Sequence, residues 1–139
     1  MRVGWREWVG LPELGVTRIQ GKMDTGAKTS ALHAVNLREE IRDGERSVRF
    51  DVPKTTSSSQ GPQALVRVVD ERTIRSSNGG TEIRPVIETR VQIGGGCWPI
   101  ELTLTDRGQM GFRLLLGRQA LRSRVLVDPG QAFICDPLD

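Results

Sequence analysis

Short stretches in which apolar and polar residues alternate recur down this chain, with turn-forming residues between them. They run from Thr17 to Met23, Ala31 to Leu37, Ser47 to Val52, Ala64 to Val69, Glu82 to Ile93, Trp98 to Leu104, Phe112 to Leu116 and Val125 to Val127. A period of two over so few residues suits strands with one buried face, and many such strands in succession predict an all-β fold, a closed barrel or sandwich. Helix formers gather only between Arg118 and Arg122, enough for one or two turns near the carboxyl end.

Two glycine-rich segments read as hairpin connections. Gly94-Gly95-Gly96 separates two strand-like runs and tolerates positive φ, so its flanking strands should pair antiparallel. Ser76-Ser77-Asn78-Gly79-Gly80 divides Arg72–Arg75 from Thr81–Arg84, and Asn-Gly is a strong hairpin signal. The polar stretch from Pro53 to Pro62 has little to pack and is expected to be a mobile surface loop, too short to separate a pair of domains. With 139 residues, one domain spanning 1–139 is the expectation.

Composition narrows the function classes. Hydrophobic residues at 37% and charged residues at 27% are ordinary for a globular protein and argue against disorder. The net charge of +3 comes from basic residues scattered along the chain, whereas a nucleic-acid footprint wants a stripe. Charges in Met1–Trp8 interrupt what a secretory signal needs, and no window has the apolar length of a membrane span, so a cytoplasmic protein without membrane or nucleic-acid partners is expected. Cys97 and Cys135 lack metal or redox spacing and are expected to be reduced core thiols.

The chemistry-bearing segment is Asp24-Thr25-Gly26-Ala27-Lys28, a small acidic loop that follows one strand and leads into another. Near the other end, Leu114-Leu115-Leu116-Gly117-Arg118 precedes the helix-forming residues. Acid loop, Asn-Gly hairpin and Leu-Leu-Gly-Arg, in that order, closely resemble a family long labelled ATP-dependent zinc proteases. That family is now regarded as retropepsin-like and is found associated with ribosomal-protein glutamate ligases. The resemblance extends from about Gly4 to Asp136. It implies an aspartic peptidase in which Asp24 is the catalytic acid. Thr25, Gly26 and Ala27 would shape its loop, Leu115, Leu116, Gly117 and Arg118 would support it from behind, and Ser76, Ser77, Asn78, Gly79 and Gly80 would form a flap over a peptide substrate.

Peptide hydrolysis of this kind needs two carboxylates close enough to share a proton, the arrangement for which aspartic proteases are the standard example. One Asp-Thr-Gly per chain supplies half, so the resemblance implies a homodimer with an Asp24 from each subunit at the two-fold axis. No metal or other cofactor is called for. Lys28 stands where retropepsins usually carry an acidic or amide residue that binds substrate and pairs with the arginine. Arg118 must therefore find another acceptor, and Lys28 favours an acidic substrate. A structural alternative is an Asx turn in which Asp24 only caps backbone amides. A functional alternative is a non-catalytic peptide-binding or regulatory module working with a glutamate ligase.

Other chemistries lack their residues. His33 is the single histidine, which rules out a His-Glu-x-x-His zinc helix. The Gly15–Lys22 segment has one residue too many for a phosphate loop, and Met23 stands where magnesium needs a hydroxyl. No Gly-x-Ser-x-Gly occurs. Trp5 and Trp8 are expected to pack on the core or a dimer interface rather than hold a ligand.

Overall fold

The computed structural model describes residues 1–54, 61–75, 79–106 and 111–135. The strands are β1 (Arg2–Gly4), β2 (Arg6–Leu11), β3 (Val16–Asp24), β4 (Ala31–His33), β5 (Val35–Arg42) and β6 (Glu45–Asp51). They continue as β7 (Gln63–Arg67), β8 (Asp70–Arg75), β9 (Thr81–Ile93), β10 (Gly96–Thr105), β11 (Leu114–Gly117) and β12 (Leu126–Asp128). A 3-10 turn covers Pro12–Leu14, and helix α1 (Arg118–Leu121) directly follows β11.

Six strands close on themselves in the order β10-β4-β11-β3-β2-β9, because β9 also pairs with β10. The result is the closed all-β barrel with one short helix near the carboxyl end that the alternating runs predict. Alternation explains which side chains fill it. In β10, Trp98, Ile100, Leu102 and Leu104 are buried, whereas Cys97, Pro99 and Glu101 face outward. In β3, Val16, Ile19, Gly21 and Met23 point in. Leu32, Leu114 and Leu116 are fully buried beside them. At about 25 cal/mol per Å² of apolar surface removed from water, this shared interior is the main force closing the barrel.

The Ala31–Leu37 run breaks in two. Ala34 donates its N–H to Thr105 O at 2.9 Å, and Asn36 takes φ 56°, which asparagine tolerates, so the chain leaves the barrel after His33. It then forms a separate three-stranded sheet, β5-β6-β7. Val48 and Phe50 of that sheet belong to the core cluster. Strands β1 and β2 are not among the runs that alternation picks out, because Glu7 interrupts their apolar pattern. Glu7 is nonetheless buried: its carboxylate accepts N–H groups from Gly4 at 2.7 Å, Ile134 at 2.9 Å and Cys135 at 3.1 Å.

Two expectations need correction. Both cysteines are free, but Cys97 is not a core thiol, since the β10 alternation turns it outward, and Cys135 is only half-buried, packed against the edge of the core cluster. The Pro53–Pro62 stretch is not a loop on the surface throughout. Residues 55–60 lie outside the described residues, but its ends are pinned, since Pro53 is buried and Val52 donates to Pro62 O at 2.9 Å. Gly94 has φ 55° at the β9–β10 turn, in agreement with the hairpin read from three glycines. Trp5 packs edge-on against Phe112 and Trp8 stacks on Phe133, all four rings half-buried.

Candidate active site

Asp24 is the last residue of β3 and lies beside Gly117, the last residue of β11, because the two strands run parallel with Leu116 opposite Met23. The acid loop and the Leu-Leu-Gly-Arg segment, distant in sequence, therefore meet. Leu115 pairs in register with Lys22, and the buried side chains of Leu114 and Leu116 anchor the strand in the core.

Beyond Asp24 the chain turns sharply. Asp24 Oδ1 accepts N–H groups from Gly26 at 3.0 Å and Ala27 at 3.2 Å, the Asx arrangement foreseen as an alternative. Only Oδ1 is engaged; Oδ2 carries no hydrogen bond among the described residues. The half-buried carboxylate is thus oriented at one oxygen and open at the other. Thr25 and Gly26 are exposed at the tip. A Cβ at Gly26 would lie 3.3 Å from Asp24 Oδ1, tighter than ordinary contact.

The segment after the loop is stitched to the start of α1. Arg118 N donates to Ala27 O at 2.8 Å, and Gln119 N to Lys28 O at 3.2 Å. Gly117 N donates to the buried Ser30 hydroxyl at 2.9 Å, while Thr103 donates to Ser30 O from both its N–H and its hydroxyl at 2.9 Å. Gly117 has no room for a side chain: a Cβ would lie 2.4 Å from Thr29 O and 2.9 Å from Ala27 O. Sequence reasoning misses Ser30. Nothing in Lys28-Thr29-Ser30 signals that its hydroxyl meets a backbone amide 87 positions away.

Arg118 finds the substitute acceptor that Lys28 obliges it to seek. Its guanidinium donates to the carbonyls of Gly26 at 3.1 Å and, more weakly, Thr25 at 3.4 Å, so it braces the acid loop from within the same chain. Lys28 is exposed and makes no ion pair among the described residues. Beside the loop, a polar cleft of about 370 Å³ is bounded by Thr29 and Ser30, by Gln119 and Arg122 on the helix side, and by Arg72 and Glu101 opposite.

Strands β8 and β9 form the hairpin in which the flap is expected, pairing from Asp70 opposite Val86 to Arg75 opposite Thr81. Ser76, Ser77 and Asn78 lie outside the described residues; Gly79, with φ 87°, and Gly80 are exposed. Both arms are tied to β10. Arg72 pairs with Glu101 of β10 at 2.5 Å, and the Thr105 hydroxyl donates to Glu82 at 3.1 Å. Arg46 of β6 bridges Glu39 and Glu71, so the small sheet is tied to β8, and the Arg46 hydrogen bond holds Glu71 below the usual carboxylate range.

His33 is buried, and its Nδ1 has no hydrogen-bond partner among the described residues. Among the described residues no group of three or more His, Cys, Asp or Glu side chains converges as a metal site would require. The described residues also contain no helix long and apolar enough to cross a membrane.

The closed barrel, the acid loop beside Gly-Arg and the β8–β9 hairpin define a retropepsin-like domain. Residues 2–137 match the family model described as retropepsin-like aspartic endopeptidase RimB (RimB-like), and the chain belongs to that family. A protein of Shewanella pealeana named probable alpha-L-glutamate ligase is 46% identical over 132 residues, covering 94% of this chain and 29% of its own length. One of the same name from Desulfotalea psychrophila is 44% identical, covering 91% of this chain and 28% of its own. The chain thus spans under a third of these curated relatives. A Legionella pneumophila crystal structure, titled as a protein with unknown function, superposes with a TM-score of 0.79 at 30% identity, covering 96% of both chains.

Proposed function

We propose that this chain is an aspartic endopeptidase that works as a homodimer, with Asp24 of each subunit facing the other across the two-fold axis. The observation that carries the reading is the posture of Asp24: one oxygen is fixed by the Gly26 and Ala27 amides and the other is unengaged, on a loop braced by Arg118 and Gly117. Oriented carboxylates cost no reorganisation during reaction. In the pair, one Asp24 is ionised and takes a proton from a bound water as general base. The other is protonated and donates to the scissile carbonyl, which stabilises the developing oxyanion. Thr25 holds the two loops in register across the axis, and the absent side chain of Gly26 lets them approach. The hairpin tip, residues 76–80, covers the bound peptide. Lys28, Arg118 and Arg122 surround the loop with positive charge, which favours an acidic peptide. The chemistry draws on no metal or other cofactor. The exposed thiol of Cys97 fits a reducing, cytoplasmic setting.

The test is cleavage of unfolded protein and of an acidic peptide library at mildly acidic pH by the parent and by Asp24→Asn. The reading expects the variant to lose cleavage altogether and the parent's specific activity to rise with protein concentration until dimers dominate. Residual cleavage by Asp24→Asn would remove Asp24 from the mechanism.

A second reading rests on Lys28 and on the names of the relatives. The same fold would serve as a peptide-binding or regulatory module that acts with a glutamate ligase and performs no hydrolysis. Peptide binding that Asp24→Asn leaves unchanged, with no cleavage by the parent, would favour it.

A further inference from the structure

A cleft of about 490 Å³ opens where the barrel meets the three-stranded sheet. Thr17 and Arg18, at the start of β3, form one side; Val52, Lys54 and Pro62, from the ends of the long loop, form another. Arg113, on the approach to β11, closes it. Two arginines, a lysine and a threonine therefore line the space, and the described lining includes no carboxylate.

Several arginines elsewhere in the chain are neutralised by a neighbouring acid. Arg42, Arg46, Arg49, Arg67, Arg72 and Arg84 each sit in an ion pair with a glutamate or aspartate. Arg18, Lys54 and Arg113 have no such pair among the described residues. Arg113 is half-buried and donates to Pro53 O, an uncharged acceptor; burial pushes its pKa down, the mark of a desolvated charge that lacks a counter-ion. Arg18 lies 4.0 Å over the Trp8 ring, so its guanidinium is already held in place rather than free in solvent.

A concave surface with pre-positioned cations and no acid is built for an anion, and guanidinium forks bind planar or tetrahedral oxyanions through paired hydrogen bonds. Three positive charges exceed what one carboxylate neutralises, and Val52 and Pro62 add an apolar wall. We infer that the cleft lined by Arg18, Lys54 and Arg113 binds a small molecule bearing a multiply charged oxyanion, a phosphate or polycarboxylate. The site is separate from the acid loop: Arg18 and Asp24 lie at opposite ends of β3, about 20 Å apart at roughly 3.3 Å per extended residue. Such a ligand would bridge the two sheets, since Arg18 belongs to the barrel and Lys54 to the loop leaving β6.

Calorimetric titration of the whole chain at low ionic strength, with inorganic pyrophosphate and separately with citrate, tests this. Saturable one-to-one binding by at least one is expected, with a rise in Tm that sodium chloride at equal ionic strength does not reproduce. Tighter pyrophosphate binding identifies a phosphate site, and tighter citrate binding a polycarboxylate site. Arg18→Gln with Lys54→Gln changes two exposed side chains, so the fold should persist by circular dichroism, and affinity should fall at least about tenfold, the loss of charge-assisted hydrogen bonds. Arg113→Lys keeps the charge without the fork and should weaken binding less than Arg113→Gln. Failure of both anions to bind the parent, or equal binding to the Arg18/Lys54 double variant, would overturn the assignment.

Discussion

Gly117→Ala is the most stringent test of how the acid loop is held. Gly117 has φ −88° and ψ 175°, a conformation alanine adopts freely, so any cost must come from contact and not from backbone strain. The added methyl would sit 2.4 Å from Thr29 O, 2.7 Å from Thr29 C and 2.9 Å from Ala27 O, all main-chain atoms. Relief requires the 27–30 segment to move away from β11. That movement strains the bonds Arg118 N to Ala27 O at 2.8 Å and Gly117 N to Ser30 Oγ at 2.9 Å. Overpacking of this kind costs about 1–3 kcal/mol, and losing the buried Ser30 bond adds about 1 kcal/mol. A total of about 2–4 kcal/mol corresponds to a Tm lowered by roughly 6–15 °C for a domain of this size. Urea and thermal unfolding, followed by circular dichroism, give the number. Gly95→Ala is the control: nothing lies within 4 Å of its would-be Cβ, and the change should be neutral or stabilising by up to about 1 kcal/mol. A Gly117→Ala variant within about 0.5 kcal/mol of the parent would refute the packing argument.

Three further outcomes follow from the same geometry. Glu7→Gln replaces a carboxylate that accepts three amides with a group having one acceptor oxygen, and should cost about 3 kcal/mol; hydrogen exchange at Ile134 and Cys135 should accelerate, and unchanged exchange would contradict the clamp. Iodoacetamide should label exposed Cys97 well before Cys135, whose thiol is pushed up by burial and by the Glu7 carboxylate and donates to Arg2 O at 3.0 Å; mass spectrometry that finds Cys135 modified first would count against it. Glu71 is held below its usual value of 4.5 by Arg46, so its folded-state value is depressed and its contribution to stability is present above that pH. It disappears as pH falls through the lower, folded value. Glu71→Gln should therefore flatten the acid limb of the stability curve, and identical acid limbs in parent and variant would contradict it.

Much of the barrel was legible because alternation is a local signal. From Ile87 to Ile93 in β9 and from Trp98 to Leu102 in β10 the buried residues follow a period of two, and Gly94 supplies the turn between the strands. The meeting of Asp24 with Gly117 was legible only through resemblance, since no local pattern says that β3 and β11 run parallel. What escaped was carried by polar residues whose partners are remote. Glu7 hid β2 because a buried acid breaks the apolar pattern, and its reason for being there lies at Ile134 and Cys135. Ser30 carries no mark of its role behind Gly117. The separate β5-β6-β7 sheet was hidden by the continuity of the Ala31–Leu37 run, which is broken by backbone conformation at Asn36 rather than by a change in hydropathy.

Whether two Asp24 side chains meet is best measured directly, by a crystal structure of the dimer and the separation of their carboxyl oxygens. The peptidase reading predicts a separation within hydrogen-bond reach, about 2.6–3.2 Å or one bridging water. A chain that stays monomeric at high concentration, or a dimer whose Asp24 carboxyls face away from each other, would contradict it.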